Sequence, residues 1–278
     1  MPAIAAVRRV QVLPGGVRAL DVVQPTLLVL DTPVAADGQR WLKAARRRGI
    51  AVASIHDRGI APLSSDLAID GSLAARGPIS GARRSLVGPR FMVIDSRRVA
   101  RPKPVDDNCL VVIALGGGPR VRLARQLGDE ILRRVPRARV VIAAGFAAKR
   151  ARSTAPGSRL EWLGPRDSLA AVLGTAAAAV VAGGVTLYEA AALGVPTVAV
   201  PIVAAQWPTV RAFARAGAAL APGRAGSIDV KAVAAAVRRL LVDRPYATSI
   251  ARRGRQLVDG QGARRVARAL HTLAGGAR

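Results

Sequence analysis

The sequence is nearly free of cysteine. Cys109 is the single cysteine in 278 residues, so no disulfide can form within the chain, and a reducing, cytoplasmic setting is expected. This residue lies in the apolar run NCLVVIAL, which favours a buried structural thiol over a nucleophile.

Acidic and aromatic residues are also scarce. The chain has 17 aspartates and glutamates against 43 lysines and arginines, which gives a formal charge of +26, and aromatics make up 3% of it. Such a charge attracts phosphates. Without aromatic platforms, zinc-finger spacing or an RNA-recognition motif, however, it does not indicate specific nucleic-acid binding. We interpret the arginines as solvated surface that favours acidic ligands and peripheral contact with anionic membranes.

The chain lacks a long uninterrupted hydrophobic run as well. Its start, MPAIAAVRRV, has no hydrophobic core of signal-peptide length. Residues 169–207 are largely apolar, but two adjacent glycines, a glutamate, a third glycine and a proline divide them into pieces too short to cross a bilayer. The sequence therefore predicts a soluble protein.

What the chain does contain is an alternation of strand-length apolar runs and helical patterns. Continuous apolar strands separated by helices are typical of a parallel sheet covered on both faces. In the first part, a helix is predicted at 39–48, and the predicted strands are TLLVLD, IAVASIHD, DLAID and, as a fourth, RFMVID. In the second part, a helix is predicted from about 119 to 134, and the predicted strands are CLVVIAL, ARVVIAAG, LEWLG, AAAAVVAGG and VPTVAVP.

A polar segment with two prolines, RRVARPKPVDDN at 97–108, separates the two series. We therefore predict an α/β protein of two doubly wound Rossmann-like domains, 1–100 and 101–278, the first of them unusually small. In such folds, ligands bind beyond the carboxyl ends of the strands. Helices at 246–258 and 263–273, separated by an Asp-Gly-Gln-Gly turn, are expected to close the chain.

The stretch AGGVTLYEAAALGVPTVAVPIVAAQ follows one of the predicted strands. Gly183 and Gly184 form the turn after that strand, and a helix is predicted to begin near Thr186. Glycines let a ligand approach the backbone closely, and free amides at a helix start favour a phosphate or diphosphate. Glu189, one turn further, can accept hydrogen bonds from sugar hydroxyls. Thr186 and Glu189 also have the spacing of a capping box, which needs no ligand, so both interpretations stay open here.

A second glycine turn, LGGGPR, follows the first strand of the second series. In it, Gly116, Gly117 and Gly118 precede Pro119, a residue that suits the first position of a helix. Two such turns at strand ends in one domain favour a phosphate-bearing ligand more than either turn does alone.

These motifs resemble the nucleotide-sugar site of GT-B-fold enzymes. Their Gly-Gly…Glu…Gly-(Ile/Val/Leu)-Pro…Gln arrangement matches Gly183-Gly184, Glu189, LGVPTVAVP and Gln206. The chain is also similar to the UDP-sugar hydrolase of the pseudaminic-acid pathway and the related spore-coat polysaccharide proteins. This similarity extends from about Leu27 to Ala267, and its blocks, in the family's order, are VLDTP…IHDRG…SDLAIDGSL, LVGPRFMVI, VVIALGGG, AGGVTLYEAAALGVPTV and LVDGQGARRVA.

The resemblance implies a role for each matching residue. Glu189 would hold the ribose hydroxyls, Gly116–Gly118 would line the cleft, and Gln206 would contact the sugar or phosphate side. The diphosphate would lie on the backbone of Gly183, Gly184, Val185 and Thr186. The implied ligand is a UDP-sugar, and the implied reaction uses neither a metal nor an organic cofactor.

The chain departs from that family at the catalytic histidine. The family's Gly-His-x-x-Arg segment has no counterpart before TLLVLD, and the chain has only two histidines, His56 and His271. His56 ends a predicted strand and Asp57 follows it, so these two are the candidate catalytic residues; a strand-end histidine without a catalytic role is the alternative. His271 is expected to face solvent. The resemblance implies a UDP-sugar hydrolase, with a glycosyltransferase using the same donor site and a catalytically silent homologue as alternatives.

Overall fold

The computed structural model of the protein describes residues 16–32, 34–56, 63–75, 77–95, 109–116, 120–143, 158–163, 168–223 and 228–276. The chain packs as two compact units. One contains the chain up to Ile69, Pro78–Ser85 and the chain from Arg268, and the other contains Asp70–Gly77 and Leu86–Ala267. The predicted linker at 97–108 lies outside the described residues, and the predicted domains, 1–100 and 101–278, stay a prediction.

The first sheet has four strands in the order β1-β2-β3-β4. They are β1 (Leu27–Leu30), β2 (Ala51–Ile55), β3 (Leu67–Asp70) and β4 (Arg84–Val87). The first three are parallel to one another, with Leu27 opposite Ala51 and Ala53 opposite Leu67. Three of the strands predicted for the first part of the chain are therefore confirmed.

The fourth predicted strand, RFMVID, is wrong. Residues Pro89–Phe91 form a 3-10 turn in which the amide of Phe91 donates to the carbonyl of Gly88 at 3.0 Å, and residues 92–95 have no regular structure. Proline has no amide for a strand ladder, and its fixed φ suits a helical turn. The fourth strand is β4, which lies just before this turn.

Two helices, α1 (Ala19–Val23) and α2 (Ala35–Arg46), accompany the first sheet. The predicted helix at 39–48 is therefore confirmed as α2, which begins four residues earlier. Aliphatic side chains and alanines form the core between these elements. It consists of Leu20, Leu30, Leu42, Ala44, Ala45, Ile50, Val52 and Leu63.

The second sheet has five parallel strands in the order β7-β6-β5-β8-β9. They are β5 (Leu110–Ala114), β6 (Arg139–Ala143), β7 (Leu160–Trp162), β8 (Ala178–Ala182) and β9 (Thr197–Val200). All five were predicted. Because the strand order reverses between β5 and β8, that position is the topological switch point of a doubly wound sheet.

Both faces of this sheet are covered, as the continuous apolar strands predicted. Val111 and Ile113 of β5 belong to one buried cluster, and Val112 and Ala114 of the same strand belong to another. Neighbouring residues of a strand point to opposite faces, so the two clusters lie on opposite sides of the sheet. Cys109 packs against the first cluster as a half-buried residue.

Seven helices follow in the second part of the chain within the described residues, and the last of them has residues in both units. They are α3 (Val121–Arg134), α4 (Leu169–Leu173), α5 (Val185–Leu193), α6 (Trp207–Arg215), α7 (Val230–Val242), α8 (Arg244–Leu257) and α9 (Gly262–Gly275). The predicted helix at 119–134 and the two predicted closing helices are confirmed. Within the described part of the chain, no helix is both long and apolar enough to cross a membrane.

Three of the sequence blocks that carry the family resemblance meet at Met92 in the second unit. A Cβ added to Gly262, the first residue of α9, would lie 2.1 Å from the carbonyl oxygen of Met92, and one added to Gly71 would lie 2.4 Å from the Cα of Met92. Arg265 donates to the carbonyl of Arg90 at 2.9 Å. These glycines therefore permit close packing of the backbone, so the three blocks have a structural role.

Candidate functional site

The two glycine turns lie next to each other at the switch point of the second sheet. Strands β5 and β8 pair with Ala114 opposite Val181. Two residues further along this register, Gly116 is level with Gly183. The turns that follow the strands therefore begin at the same edge, beyond the carboxyl ends, where ligands of doubly wound sheets bind.

Helix α5 begins directly after the second of these turns. Gly184 is its N-cap and makes no side-chain cap, and Val185 is its first residue. Thr186 is therefore inside the helix, so the capping-box interpretation of Thr186 and Glu189 is wrong. The first amides of a helix have no acceptor in a preceding turn. In α5 the amide of Leu187 donates to the carbonyl of Gly184 at 3.1 Å, which leaves the amides of Val185 and Thr186 at the positive end of the helix dipole. Their direction and partial charge suit an anion.

Gly183 and Gly184 differ in what surrounds them. A Cβ on Gly183 would lie 2.7 Å from Cγ2 of Val210 and 3.0 Å from Cβ of Gln206, whereas one on Gly184 would meet only Nε2 of Gln206, at 3.9 Å. Packing against α6 therefore requires the first glycine. The second has open space beside it and is half-buried, so a ligand can approach its backbone.

Gln206 is held at the same edge of the sheet. Its Oε1 accepts a hydrogen bond from the amide of Ile202, just after β9, at 2.9 Å. This bond fixes the side-chain amide and leaves its Nε2 near Gly184 as a donor group. The structure thus brings Gln206 together with the start of α5, and its contact with the sugar or phosphate side stays a prediction.

Glu189 lies on α5, in the turn that follows the helix start, and is half-buried. The helix itself is anchored by the neighbouring Tyr188. The hydroxyl of Tyr188 accepts a hydrogen bond from the amide of Leu73 at 2.9 Å, and its ring packs edge-on against Phe213 with centroids 5.0 Å apart. The sequence analysis missed the anchoring role of Tyr188. Its only sequence signal is that a buried tyrosine needs a partner for its hydroxyl.

In the glycine turn that follows β5, Gly116 is the one glycine that lies within the described residues. Gly116 has a φ of +87° and its added Cβ would meet nothing within 4 Å, so its backbone conformation, and not close packing, favours glycine. Gly117 and Gly118 lie outside the described residues, and so does Asp57. Their predicted roles stay predictions.

His56 belongs to the first unit and is buried, with 7% of its surface exposed. Its Nε2 lies 2.8 Å from Oγ of Ser54, which in turn is 2.7 Å from Oγ of Ser65. The ring is therefore part of a buried hydrogen-bonded network. His271, in contrast, is exposed on α9, as predicted.

No protein-family model matches the sequence. Among curated proteins, the chain is 36% identical over 107 residues to the spore coat polysaccharide biosynthesis protein SpsG of Bacillus subtilis strain 168. The matched region is 38% of this chain and 32% of that protein, so it spans about a third of the relative's length.

Solved structures show the same fold over most of the chain. MurG of Acinetobacter baumannii matches with a TM-score of 0.64 and 17% identity, covering 92% of this chain and 76% of that one. The UDP-GlcNAc 2-epimerase of Neisseria meningitidis bound to UDP-GlcNAc matches with a TM-score of 0.62 and 13% identity, covering 92% and 79%. The chain is thus a GT-B-fold α/β protein of two Rossmann-like sheets, with a sequence relative in spore coat polysaccharide biosynthesis.

Proposed function

We propose that the protein binds a UDP-sugar at the switch point of the second sheet and transfers the sugar to a hydroxyl acceptor. The observation that carries this proposal is the start of α5 at Gly184, with no capping side chain, at the edge where Gly116 is level with Gly183. A helix start in this position is suited to a diphosphate. The UDP-GlcNAc named with the Neisseria structure supports the choice of ligand.

In the proposed donor site, neutral groups would bind the phosphates and a carboxylate would bind the ribose. The amides of Val185 and Thr186 would donate to the diphosphate, and the Nε2 of Gln206 would donate to the phosphate or sugar side. Glu189, half-buried on the same helix, would accept from the ribose hydroxyls. A carboxylate suits hydroxyl donors, whereas its charge would repel a diphosphate.

The acceptor decides between transfer and hydrolysis. In transfer, the acceptor oxygen bonds to the anomeric carbon, the bond from that carbon to the diphosphate breaks, and UDP leaves with its electron pair. In hydrolysis, water takes the place of the hydroxyl. The glycosyltransferases among the solved structures of this fold favour the first reaction, and the ordered hydrolase-like sequence blocks favour the second. His56 and Asp57 are the proposed source of a general base for either.

Incubation with UDP-GlcNAc, with and without hydroxyl acceptors, tests the proposal. We expect UDP release that depends on an acceptor. Release at the same rate without one would establish the hydrolase alternative, and binding without release would establish a catalytically silent homologue. Absence of both binding and release across a set of UDP-sugars would contradict the proposed donor site.

Glu189→Ala tests the ribose contact. We expect UDP affinity to fall by about 1–3 kcal/mol, the range for lost hydrogen bonds to a charged group. Isothermal calorimetry measures this, and Glu161→Ala is the matched control because Glu161 lies on β7 and pairs with Arg139 at 3.4 Å. Unchanged affinity together with a lower melting temperature would show that Glu189 only stabilises the helix.

A further inference from the structure

The first unit contains an open cleft that the proposed donor site does not use. Its volume is about 500 Å³, within the range of about 300–1,000 Å³ that is typical of small-molecule sites. It lies at the amino ends of β2, β3 and β4, which begin at Ala51, Leu67 and Arg84. Ligands of doubly wound sheets bind at the opposite, carboxyl ends, so this cleft is not the expected nucleotide site of its own sheet.

Arginines dominate the charge of this cleft. Arg46, Arg83 and Arg84 line it together with one carboxylate, Asp66. The last turns of α2 and α9 also border it, and each helix end contributes roughly half a negative charge. Three guanidinium groups against one carboxylate and two helix ends leave a net positive charge of about one unit.

The carboxylate in the cleft is already neutralised. Oδ2 of Asp66 accepts from the amide of Val52 at 2.9 Å, and Oδ1 lies 3.5 Å from the guanidinium of Arg83. Arg46 donates to the carbonyl of Ser64. Arg84 is exposed, and among the described residues no ion pair or hydrogen bond involves its side chain. Arg84 is therefore the cation that is available to an incoming anion.

The remaining lining is largely apolar. Leu67 and Ile50 are buried, and Ala269 and Leu273 of α9 are half-buried beside the hydroxyl of Thr272. A small inorganic ion would leave this apolar surface in contact with water. An organic anion would cover it while its charged group meets the arginines, which match phosphate and carboxylate oxygens through several N–H groups at once.

We propose that this cleft binds a small organic phosphate, with its apolar body against Ala269 and Leu273 and its phosphate on Arg84. The site is built from the first unit alone and does not depend on the proposed donor site. The same chemistry could be supplied by a soluble phosphate ester or by the headgroup of a lipid.

Phenyl phosphate is the first probe, with inorganic phosphate and phenol as its charged and apolar halves. Calorimetry of the full chain should show tighter binding of phenyl phosphate than of either half. Arg84→Ala should weaken it about tenfold or more, the effect of losing a hydrogen bond between charged groups. Ala269→Leu, which narrows the cleft without changing its charge, should weaken it as well.

Arg122→Ala is the matched control. Arg122 is exposed on α3 in the second unit, and its loss removes the same charge far along the chain from the cleft residues. Equal weakening by Arg84→Ala and Arg122→Ala would show a general effect of net charge and overturn the proposal. UDP binding, measured in parallel, should be the same in wild type and Arg84→Ala, so failure of one site is distinguished from failure of the other.

Vesicles containing phosphatidic acid distinguish a lipid headgroup from a soluble ester. Sedimentation with these vesicles, but not with phosphatidylcholine vesicles, and its loss in Arg84→Ala would identify a lipid source. Binding of phenyl phosphate with no vesicle binding would identify a soluble ester. Binding of neither probe, at an ionic strength where wild type is folded, would overturn the proposal.

Discussion

Adjacent glycines in this protein have different physical reasons for being glycine. Gly183 is required by the side chains of α6, because the space that a methyl group would need is already occupied by Val210 and Gln206. Gly184 has that space, and it begins α5. Gly183 therefore permits close packing, whereas Gly184 leaves space for a ligand beside its backbone.

Gly183→Ala should mainly lower stability, whereas Gly184→Ala should mainly weaken UDP binding. We expect Gly183→Ala to lower the free energy of unfolding by about 1–3 kcal/mol, the cost of overpacking a core, and Gly184→Ala to lower it by less than about 1 kcal/mol. The second change should instead weaken UDP binding, because a methyl group would stand beside the proposed diphosphate position. Urea unfolding and calorimetry measure the two effects, and an equal loss of stability in both variants would contradict this division.

His56 is the residue for which the sequence and the structure suggest different roles. Removal of its ring would take away one of the two buried partners of the Ser54 hydroxyl, which would keep only Ser65, and a buried polar group that loses a hydrogen bond costs about 1–3 kcal/mol. We therefore expect His56→Ala to lower the melting temperature. If His56 is also the general base, UDP release should fall by about 10²–10⁴-fold at a temperature where the variant is folded. Release at the wild-type rate would assign His56 to the structural network alone.

At the scale of elements, helix α9 is fixed at its start by contacts to the irregular segment after β4. Arg265 donates to both carboxylate oxygens of Asp259, at 2.8 and 2.6 Å, and to the carbonyl of Arg90. The hydrogen bonds from Arg265 hold the pKa of Asp259 below its ordinary value of 3.8, and the amide of Gln261 adds to this. Asp259, in the turn before α9, thus holds the side chain of Arg265, which also contacts the carbonyl of Arg90.

Asp259→Asn should lower stability in a pH-dependent way. A carboxyl group whose pKa is lower in the folded state contributes stability above its unfolded pKa and loses it as pH falls through the folded one. We expect the variant to melt below wild type at pH 7, and the difference to shrink below about pH 4. Asp129→Asn is the control, because Asp129 forms a simple exposed pair with Arg125 and such pairs contribute little. A difference that is constant from pH 7 to pH 3 would contradict the linkage.

At the scale of the whole molecule, the formal charge of +26 dominates long-range interactions. Several of the described arginines pair with carboxylates, such as Arg48 with Asp21 at 2.7 Å and Arg133 with Glu130 at 2.6 Å. The excess remains large, since 43 basic residues face 17 acidic ones. Attraction to polyanions should therefore depend on charge and not on sequence.

A salt titration against duplex and single-stranded DNA tests this expectation. We expect weak binding at low salt that fades by physiological ionic strength, because counterion release supplies nearly all of non-specific affinity. Comparison of several unrelated DNA sequences at one salt concentration is the control for specificity. Tight binding to one of them at physiological salt would contradict the proposed role as a nucleotide-sugar protein.

The sequence determined the fold class, because buried parallel strands are continuous apolar runs, and eight of the nine predicted runs are strands in the described part of the chain. All five strands of the second sheet were predicted from short apolar runs, and the glycines after β5 and β8 mark the edge at which the donor site is proposed. The single wrong strand, RFMVID, is apolar enough for a strand, but its neighbour Pro89 starts a turn. Local hydrophobicity alone does not distinguish an apolar strand from an apolar segment without regular structure.

Only the tertiary structure decided what the individual residues do. The spacing of Thr186 and Glu189 fits a capping box as well as it fits a ligand site. The start of α5 at Val185 excludes the capping box. The burial of His56 depends on Ser54 and Ser65, and the cleft near Arg84 depends on α9 folding back onto the first sheet. The cleft joins residues far apart in sequence, whereas His56 and Ser54 are two residues apart, and neither periodicity nor composition contains information about which of these side chains meet.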